Sequence, residues 1–196
     1  MKVLGLTGGI GMGKSTAAAT LRRLRVPVFD ADDAVHRLQA KGGRAVAPIA
    51  AAFPGTVTEG AVQREALRRV VFADPAAFAR LERIVHPLVR DEERRFLAAA
   101  RRHGQRLVVL DIPLLYETRA EGRVHKVAVV SAPAAVQRAR VLRRRGMTEE
   151  RFATILARQI PDREKRRRAD VVVPTGLSRH HAQRAIRQLV RELRGE

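Results

Sequence analysis

Gly8-Gly9-Ile10-Gly11-Met12-Gly13-Lys14-Ser15, followed by Thr16, reads G-x-x-x-x-G-K-[ST], the Walker A phosphate-loop pattern. Before it, Val3-Leu4-Gly5-Leu6 is a short apolar run of the kind a buried strand makes. After it, Thr16 to Leu24 carries apolar Ala17, Ala18, Leu21 and Leu24 at helical spacing. The motif therefore has the context its chemistry needs: strand, glycine loop, helix. Glycines open backbone angles closed to other residues, so successive N–H groups can turn inward as an anion nest. The helix starting near Lys14 adds the positive end of its dipole. Lys14 is placed to reach the β- and γ-phosphates of a nucleotide, and the Ser15 hydroxyl to coordinate Mg²⁺. A glycine-rich turn between strand and helix is the plainer alternative.

The totals bound what can surround this loop. A chain of 196 residues with 45% hydrophobic residues suits one domain, with room for excursions from it. Aromatic residues are only 4%, with no Trp, so the core has to be Leu, Val, Ile and Ala. There is no Cys, which excludes disulfides and thiolate metal sites. Met1-Lys2-Val3-Leu4 has a slight look of a signal peptide, but the apolar run breaks at Gly8 inside the phosphate loop. No run approaches the ~18 apolar residues of a membrane span. A soluble, cytoplasmic chain without membrane partners is expected.

Thirty-nine Lys and Arg against 20 Asp and Glu give a net charge of +19. This charge has three readings: nucleic acid or a membrane surface as partner, a site for polyanionic substrates, or a general enrichment in Arg without functional content. The arginines are spread over most helical segments, which favours the last for most of them. Aromatic interleaving for base stacking is missing, so nucleic acid is not the expected partner.

Val26-Pro27-Val28-Phe29-Asp30 reads as a second strand ending in Asp30-Ala31-Asp32-Asp33. Ligands of open α/β sheets sit beyond the carboxyl ends of strands, so these acids are candidates for contact with an acceptor. Equally, Asp30 or Asp32 could cap a helix from about Asp33 to Ala40. Helical patterns fill most of residues 41–103: Ala45 to Phe53, then Arg64 to Phe72 with Leu67, Val70 and Val71 on one face. Pro54-Gly55 and Glu59-Gly60 punctuate them. Asp74-Pro75 starts a helix with Asp as cap, carrying Phe78, Leu81 and Val85, and His86-Pro87 is expected to break or kink it before Leu88 to Arg102 resumes. A lone His before Pro is by itself a surface or packing residue.

Leu107-Val108-Val109-Leu110-Asp111 is the third strand, its closing acid in the position of a Walker B carboxylate able to hold Mg²⁺ directly or through water. About 75 residues separate the second and third strands, far beyond an ordinary crossover. The excess reads as an inserted helical subdomain where an acceptor would need its pocket. Lys126 to Val130 is the fourth strand, and Pro133 opens a helix to Arg145, on which Arg140 and Arg144 share a face. Thr148 caps the next helix, Asp162 to Arg168 is strongly basic, and Asp170 to Val173 is the fifth strand. Ser178 caps the last helix, whose buried stripe is Ile186, Leu189, Val190 and Leu193. A mobile Arg-rich segment beside a phosphate loop has two readings, a solvated face or a lid that closes over the nucleotide.

Taken together these segments resemble the dephospho-coenzyme A kinase family of the phosphate-loop kinase superfamily, over nearly the full length. The resemblance is carried by Gly5 to Thr16, by Val28-Phe29-Asp30-Ala31-Asp32, by Gly60 to Arg64 with Leu67, by Leu81 with His86-Pro87, and by Asp111-Ile112-Pro113-Leu114-Leu115-Tyr116-Glu117. Gln137 with Arg140, Gln159 with Lys165, and Ala169-Asp170 are similar to its lid and last-strand elements. Two positions depart from the family's pattern: Met12 stands where a small residue, commonly Ser, is usual, and Thr175 stands about where the family carries an Asn on the adenine side.

The resemblance implies an α/β three-layer sandwich with a five-stranded parallel sheet of P-loop NTPase type. Its core would be about 1–31, 104–138 and 169–196, its helical substrate subdomain about 32–103 and its helical lid about 139–168. It implies transfer of phosphate from ATP to the ribose 3′-hydroxyl of dephospho-coenzyme A, giving coenzyme A and ADP, the last step of coenzyme A biosynthesis, with Mg²⁺ as cofactor. Asp32, Lys14 and Arg140 would be catalytic. Gly9, Gly11, Met12, Gly13, Lys14, Ser15, Thr16, Arg140, Arg144 and Thr175 would bind ATP, with Ser15 and Asp111 toward the metal. Thr7, Asp32, Arg64, His86, Pro113, Leu114, Leu115 and Glu117 would hold the acceptor. A monomer or weak homo-oligomer is expected. Kinases for another small acceptor, and a nucleic-acid-dependent ATPase, are the alternatives.

Overall fold

The computed structural model describes Met1–Gly195. In chain order its elements are β1 (Lys2–Thr7), α1 (Lys14–Arg23), β2 (Val28–Asp30), α2 (Ala31–Gln39), α3 (Val46–Ala52), β3 (Val57–Thr58), β4 (Ala61–Val62), α4 (Arg64–Ala73) and α5 (Pro75–Arg102). There follow β5 (Leu107–Asp111), β6 (Lys126–Ser131), α6 (Ala134–Leu142), α7 (Glu149–Ala157), α8 (Asp162–Arg168), β7 (Val171–Pro174) and α9 (Arg179–Arg194). Two compact units result: Met1–Phe29 with Ala100 onward, and Asp30–Ala99.

The first unit is built on a five-stranded parallel sheet in the order β2-β5-β1-β6-β7. β1 lies at its centre, paired with β5 through Leu4–Val109 and with β6 through Gly5–Val127. Strand side chains alternate between faces. Leu4, Leu6, Val109, Ala128 and Val130 therefore meet Ala17, Ala18 and Leu21 of α1 and Ile186, Leu189, Val190 and Leu193 of α9 in one core. That stripe on α9 is the one its spacing predicts. Each buried Leu or Ile side chain contributes about 1.5–3 kcal/mol relative to exposure. On the opposite face Gly5 leaves room for Leu115, whose Cδ1 would lie 2.7 Å from any Cβ at position 5. Helices and packed loops on both faces make the expected three-layer sandwich.

The second unit packs Leu38, Ala45, Ile49, Phe53, Val62, Leu67, Val71, Ala77 and Val85 into its own core. Several expectations are corrected here. α2 begins at Ala31 rather than near Asp33, because the Asp30 carboxylate accepts the Asp33 N–H at 3.1 Å and caps it. Val70 is exposed while Leu67 and Val71 are buried, so the core face of α4 follows the i, i+4 pair. Phe78 is exposed too, and Ala77 takes the inward place on α5. His86-Pro87 does not end α5, which runs unbroken for 28 residues with Pro87 inside. Arg83 and Pro87 both lie on its exposed side, where water can accept the hydrogen-bonding role of the carbonyl that proline leaves unpaired. The punctuation at Glu59-Gly60 is the turn of a hairpin not read from the sequence. Val57 pairs with Val62 and Thr58 with Ala61, and the turn residues take φ 52° and 76° as a tight primed turn requires.

Candidate active site

The loop from Gly8 to Gly13 joins β1 to α1. Gly13 precedes α1 at φ 91° and supplies no side-chain cap, and no acidic residue lies in the helix's first turn. The Thr16 N–H donates to the Gly13 carbonyl at 3.1 Å, and with no side-chain cap the Lys14 and Ser15 N–H groups at the start of α1 face outward as anion donors of the kind a helix N-terminus offers. Gly8 is required by closeness, since a Cβ there would come 2.4 Å from Val130 Cγ2 and 2.8 Å from its carbonyl oxygen.

Lys14 opens α1 and Asp111 ends β5, the strand beside β1. They form an ion pair at 2.8 Å between Nζ and Oδ1, with Asp111 only 2% exposed and Lys14 17%. Neighbouring strand ends thus bring together two residues 97 positions apart. Ser15 is exposed at the second position of α1. Its hydroxyl and the Asp111 carboxylate are hard oxygen donors of the kind Mg²⁺ takes. Among the described residues no group of three or more His, Cys, Asp and Glu could hold a metal unaided.

The loop is held from behind by side chains of later elements. Gln137 of α6 donates through Nε2 to the Ile10 carbonyl at 2.8 Å, and the Ile10 N–H donates to Gln159 Oε1 at 3.1 Å. The Met12 side chain is buried, and its Sδ accepts the Ala132 N–H at 3.1 Å. Thr175 Oγ1 donates to the Met12 carbonyl at 2.6 Å, and Arg140 Nη2 donates to the Thr175 carbonyl at 2.7 Å. Gln137 and Gln159 had no assigned role from sequence. Their only signal there was membership of the family's lid motif.

Other expected site residues fall differently. α6 ends at Leu142, not Arg145, so Arg144 lies in an exposed turn and shares no helical face with Arg140. Thr7 is fully buried and its hydroxyl donates to the Pro113 carbonyl at 2.9 Å, pinning the loop after β5. Leu115 is fully buried, whereas Leu114 is 40% exposed. In the second unit, Asp32 is an exposed carboxylate in the first turn of α2, and Arg64 is exposed at the start of α4. His86 lies within ion-pairing reach of Glu82, 3.8 Å away, in an open groove of α5 lined also by Arg83, Pro87 and Arg90.

Glu117 anchors the segment that follows α7. Its Oε1 takes the Ile160 N–H at 2.9 Å and lies 2.8 Å from Nζ of Lys165, whose side chain is wholly buried. Lys165→Ala leaves a largely buried carboxylate without its counter-charge and is expected to cost about 3–5 kcal/mol. Thermal melting would check this, and Lys165→Met with Glu117→Gln should recover most of the loss. Next to this pair, burial raises the Tyr116 phenol above its ordinary value, opposed by Arg168 over its ring and aided by Asp170 and Glu121. The folded state therefore holds that proton more tightly than the unfolded chain. Its stabilising share is present below about pH 10 and is lost as pH rises through the raised value. Urea midpoints from neutral to alkaline pH should fall more shallowly in Tyr116→Phe than in the parent.

A central β1 flanked by strands β5 and β6, a glycine loop leading into a helix without a side-chain cap, and the ion pair between Lys14 at that helix start and Asp111 at the end of β5 define a phosphate-loop kinase fold. A family model described as CoaE, dephospho-CoA kinase, matches residues 2–179. The dephospho-CoA kinase of Paramagnetospirillum magneticum is 66% identical over 166 residues, covering 85% of this chain and 78% of that one. The dephospho-CoA kinase of Mesorhizobium japonicum is 54% identical over 196 residues, covering 100% of this chain and 98% of that one. The crystal structure of TT1252 from Thermus thermophilus superposes with a TM-score of 0.84 at 38% identity, over 98% of this chain and 97% of that one. The chain belongs to the dephospho-CoA kinase family, and is a phosphotransferase by that membership. No helix among the described residues is long and apolar enough to cross a membrane.

Proposed function

We propose that this chain transfers the γ-phosphoryl group of ATP to the ribose 3′-hydroxyl of dephospho-coenzyme A, releasing coenzyme A and ADP. The observation that carries the reading is the uncapped start of α1, with Lys14 poised on Asp111 beside it. The 3′-oxygen attacks the γ-phosphorus, the bond to the β,γ-bridging oxygen breaks, and ADP leaves. The loop amides and Lys14 grip the phosphates, and Arg140 offsets charge on the transferring group. Mg²⁺, held through Ser15 and Asp111 when bound, would neutralise charge on the phosphates.

Asp32 orients the acceptor hydroxyl and accepts its proton. A carboxylate is a weak base for an alcohol in the ground state, but it suffices when the proton leaves late, as the P–O bond forms. The exposure of Asp32 supports this role, and its neighbour Asp30 already does the capping. Residues 32–103 serve the acceptor, whose pyrophosphate suits Arg64 and the groove of His86, Arg83 and Arg90. Pro113 and the exposed Leu114 offer it apolar surface, and residues 139–168 act as the lid.

ADP release, followed against a panel of acceptors, tests the reading. Release that requires dephospho-coenzyme A, and not nucleoside monophosphates, hydroxy acids or added DNA or RNA, is the expected result. Equal release with any of these would overturn it.

A further inference from the structure

Met12 of the phosphate loop and Thr175, 163 residues further along, meet each other in the fold. Thr175, just past β7, is 8% exposed, and its hydroxyl does not point outward. It donates to the Met12 carbonyl of the phosphate loop at 2.6 Å, with the Ser131 carbonyl at 3.1 Å as a weaker second acceptor. Its N–H donates to that same Ser131 carbonyl at 2.8 Å, fixing the residue to the end of β6. Its carbonyl receives Arg140 Nη2 at 2.7 Å. Position 13 packs against it as well: a Cβ on Gly13 would come within 3.3 Å of both Thr175 Cβ and Oγ1. Met12 completes the clasp from the other side, its thioether taking the Ala132 N–H while its carbonyl takes the Thr175 hydroxyl.

We propose that Thr175 is a positioning residue of the phosphate loop, its hydroxyl holding the Met12 carbonyl and its own carbonyl aiming Arg140, and that it does not read the nucleotide base. A nest binds phosphate only while its N–H groups converge, and convergence depends on each loop carbonyl being tied elsewhere. Without the Thr175 hydroxyl the Met12 carbonyl loses its side-chain donor, and the loop samples conformations in which the amides diverge. A residue acting this way affects every ligand that carries the phosphates, whatever base is attached. A residue contacting adenine affects ATP alone.

The inference rests on the ATP-binding role proposed above, and the experiment separates the two. Binding of ATP, GTP and inorganic tripolyphosphate is measured by calorimetry on the full chain, on Thr175→Val and on Thr175→Ser. The Val variant should weaken all three ligands alike, by about tenfold, while Ser stays within about twofold of the parent. In turnover the Val variant should raise KM for ATP and leave KM for dephospho-coenzyme A unchanged. Thr175→Ala is read the same way if Val does not fold. Loss confined to ATP, or no loss in any ligand, overturns the inference while leaving the functional reading intact. A parent chain that binds neither ATP nor tripolyphosphate overturns both.

Discussion

Lys14→Ala is expected to reduce turnover by at least about 10³-fold, equivalent to roughly 4 kcal/mol of transition-state stabilisation. Phosphoryl transfer asks the protein for little covalent chemistry and much charge neutralisation, so an ammonium at the β- and γ-phosphates is among its largest single contributions. The structure adds a second consequence. Lys14 is the 2.8 Å partner of a carboxylate only 2% exposed. Removing it takes a counter-charge away from that buried carboxylate, so nucleotide-free Lys14→Ala should also melt earlier, by up to ~3 kcal/mol of stability. Lys14→Met combined with Asp111→Asn should regain the stability and remain inactive. Steady-state kinetics and thermal melts together make the check. Near-normal turnover in Lys14→Ala would remove the mechanism, and unchanged melting would mean the ion pair contributes nothing to the resting fold.

Asp32→Asn should retain ATP affinity within about twofold and lose turnover by 10² or more, the range that a positioned base supplies. The fold gives this variant a clean interpretation. Asp30, not Asp32, accepts the Asp33 N–H and starts α2. An amide at position 32 therefore leaves the capping bond intact and removes the carboxylate proposed above as proton acceptor. Single-turnover measurements with saturating ATP and dephospho-coenzyme A would isolate the chemical step. A rate constant within about threefold of the parent would place the base elsewhere. Comparing the variant with Asp30→Ala adds a control, since loss of the capping oxygen should lower stability by about 1 kcal/mol.

Much of the first unit was legible because its signals are local. A continuous apolar run such as Leu107 to Leu110 has few alternatives to a buried strand. The stripe Ile186, Leu189, Val190, Leu193 likewise fixes the inward face of α9. Local signals misled where a neighbour in space outweighed them. Phe78 reads as core by type and spacing, yet Ala77 is the residue turned inward. His86-Pro87 reads as a break, yet the exposed side of α5 tolerates it. The basic run after Leu142 reads as more helix, yet the helix ends there and Gly146 turns the chain at φ 74°.

By itself the sequence determined that a phosphate loop sits between a strand and a helix, that a long helical insertion separates the second strand from the third, and that the family's motifs run along the chain. Each of these is written in residues adjacent or a few turns apart, where backbone sterics and side-chain periodicity decide the outcome. Only the tertiary structure decided that β5 lies beside β1, so that Asp111 takes Lys14. It alone turned Glu117 onto Lys165 and Thr175 onto Met12. Such partners lie tens to more than a hundred residues apart, and no propensity or spacing reaches that far. They meet because parallel strands in one sheet set their ends side by side, and because a buried polar group has to find whichever partner the packing brings within reach.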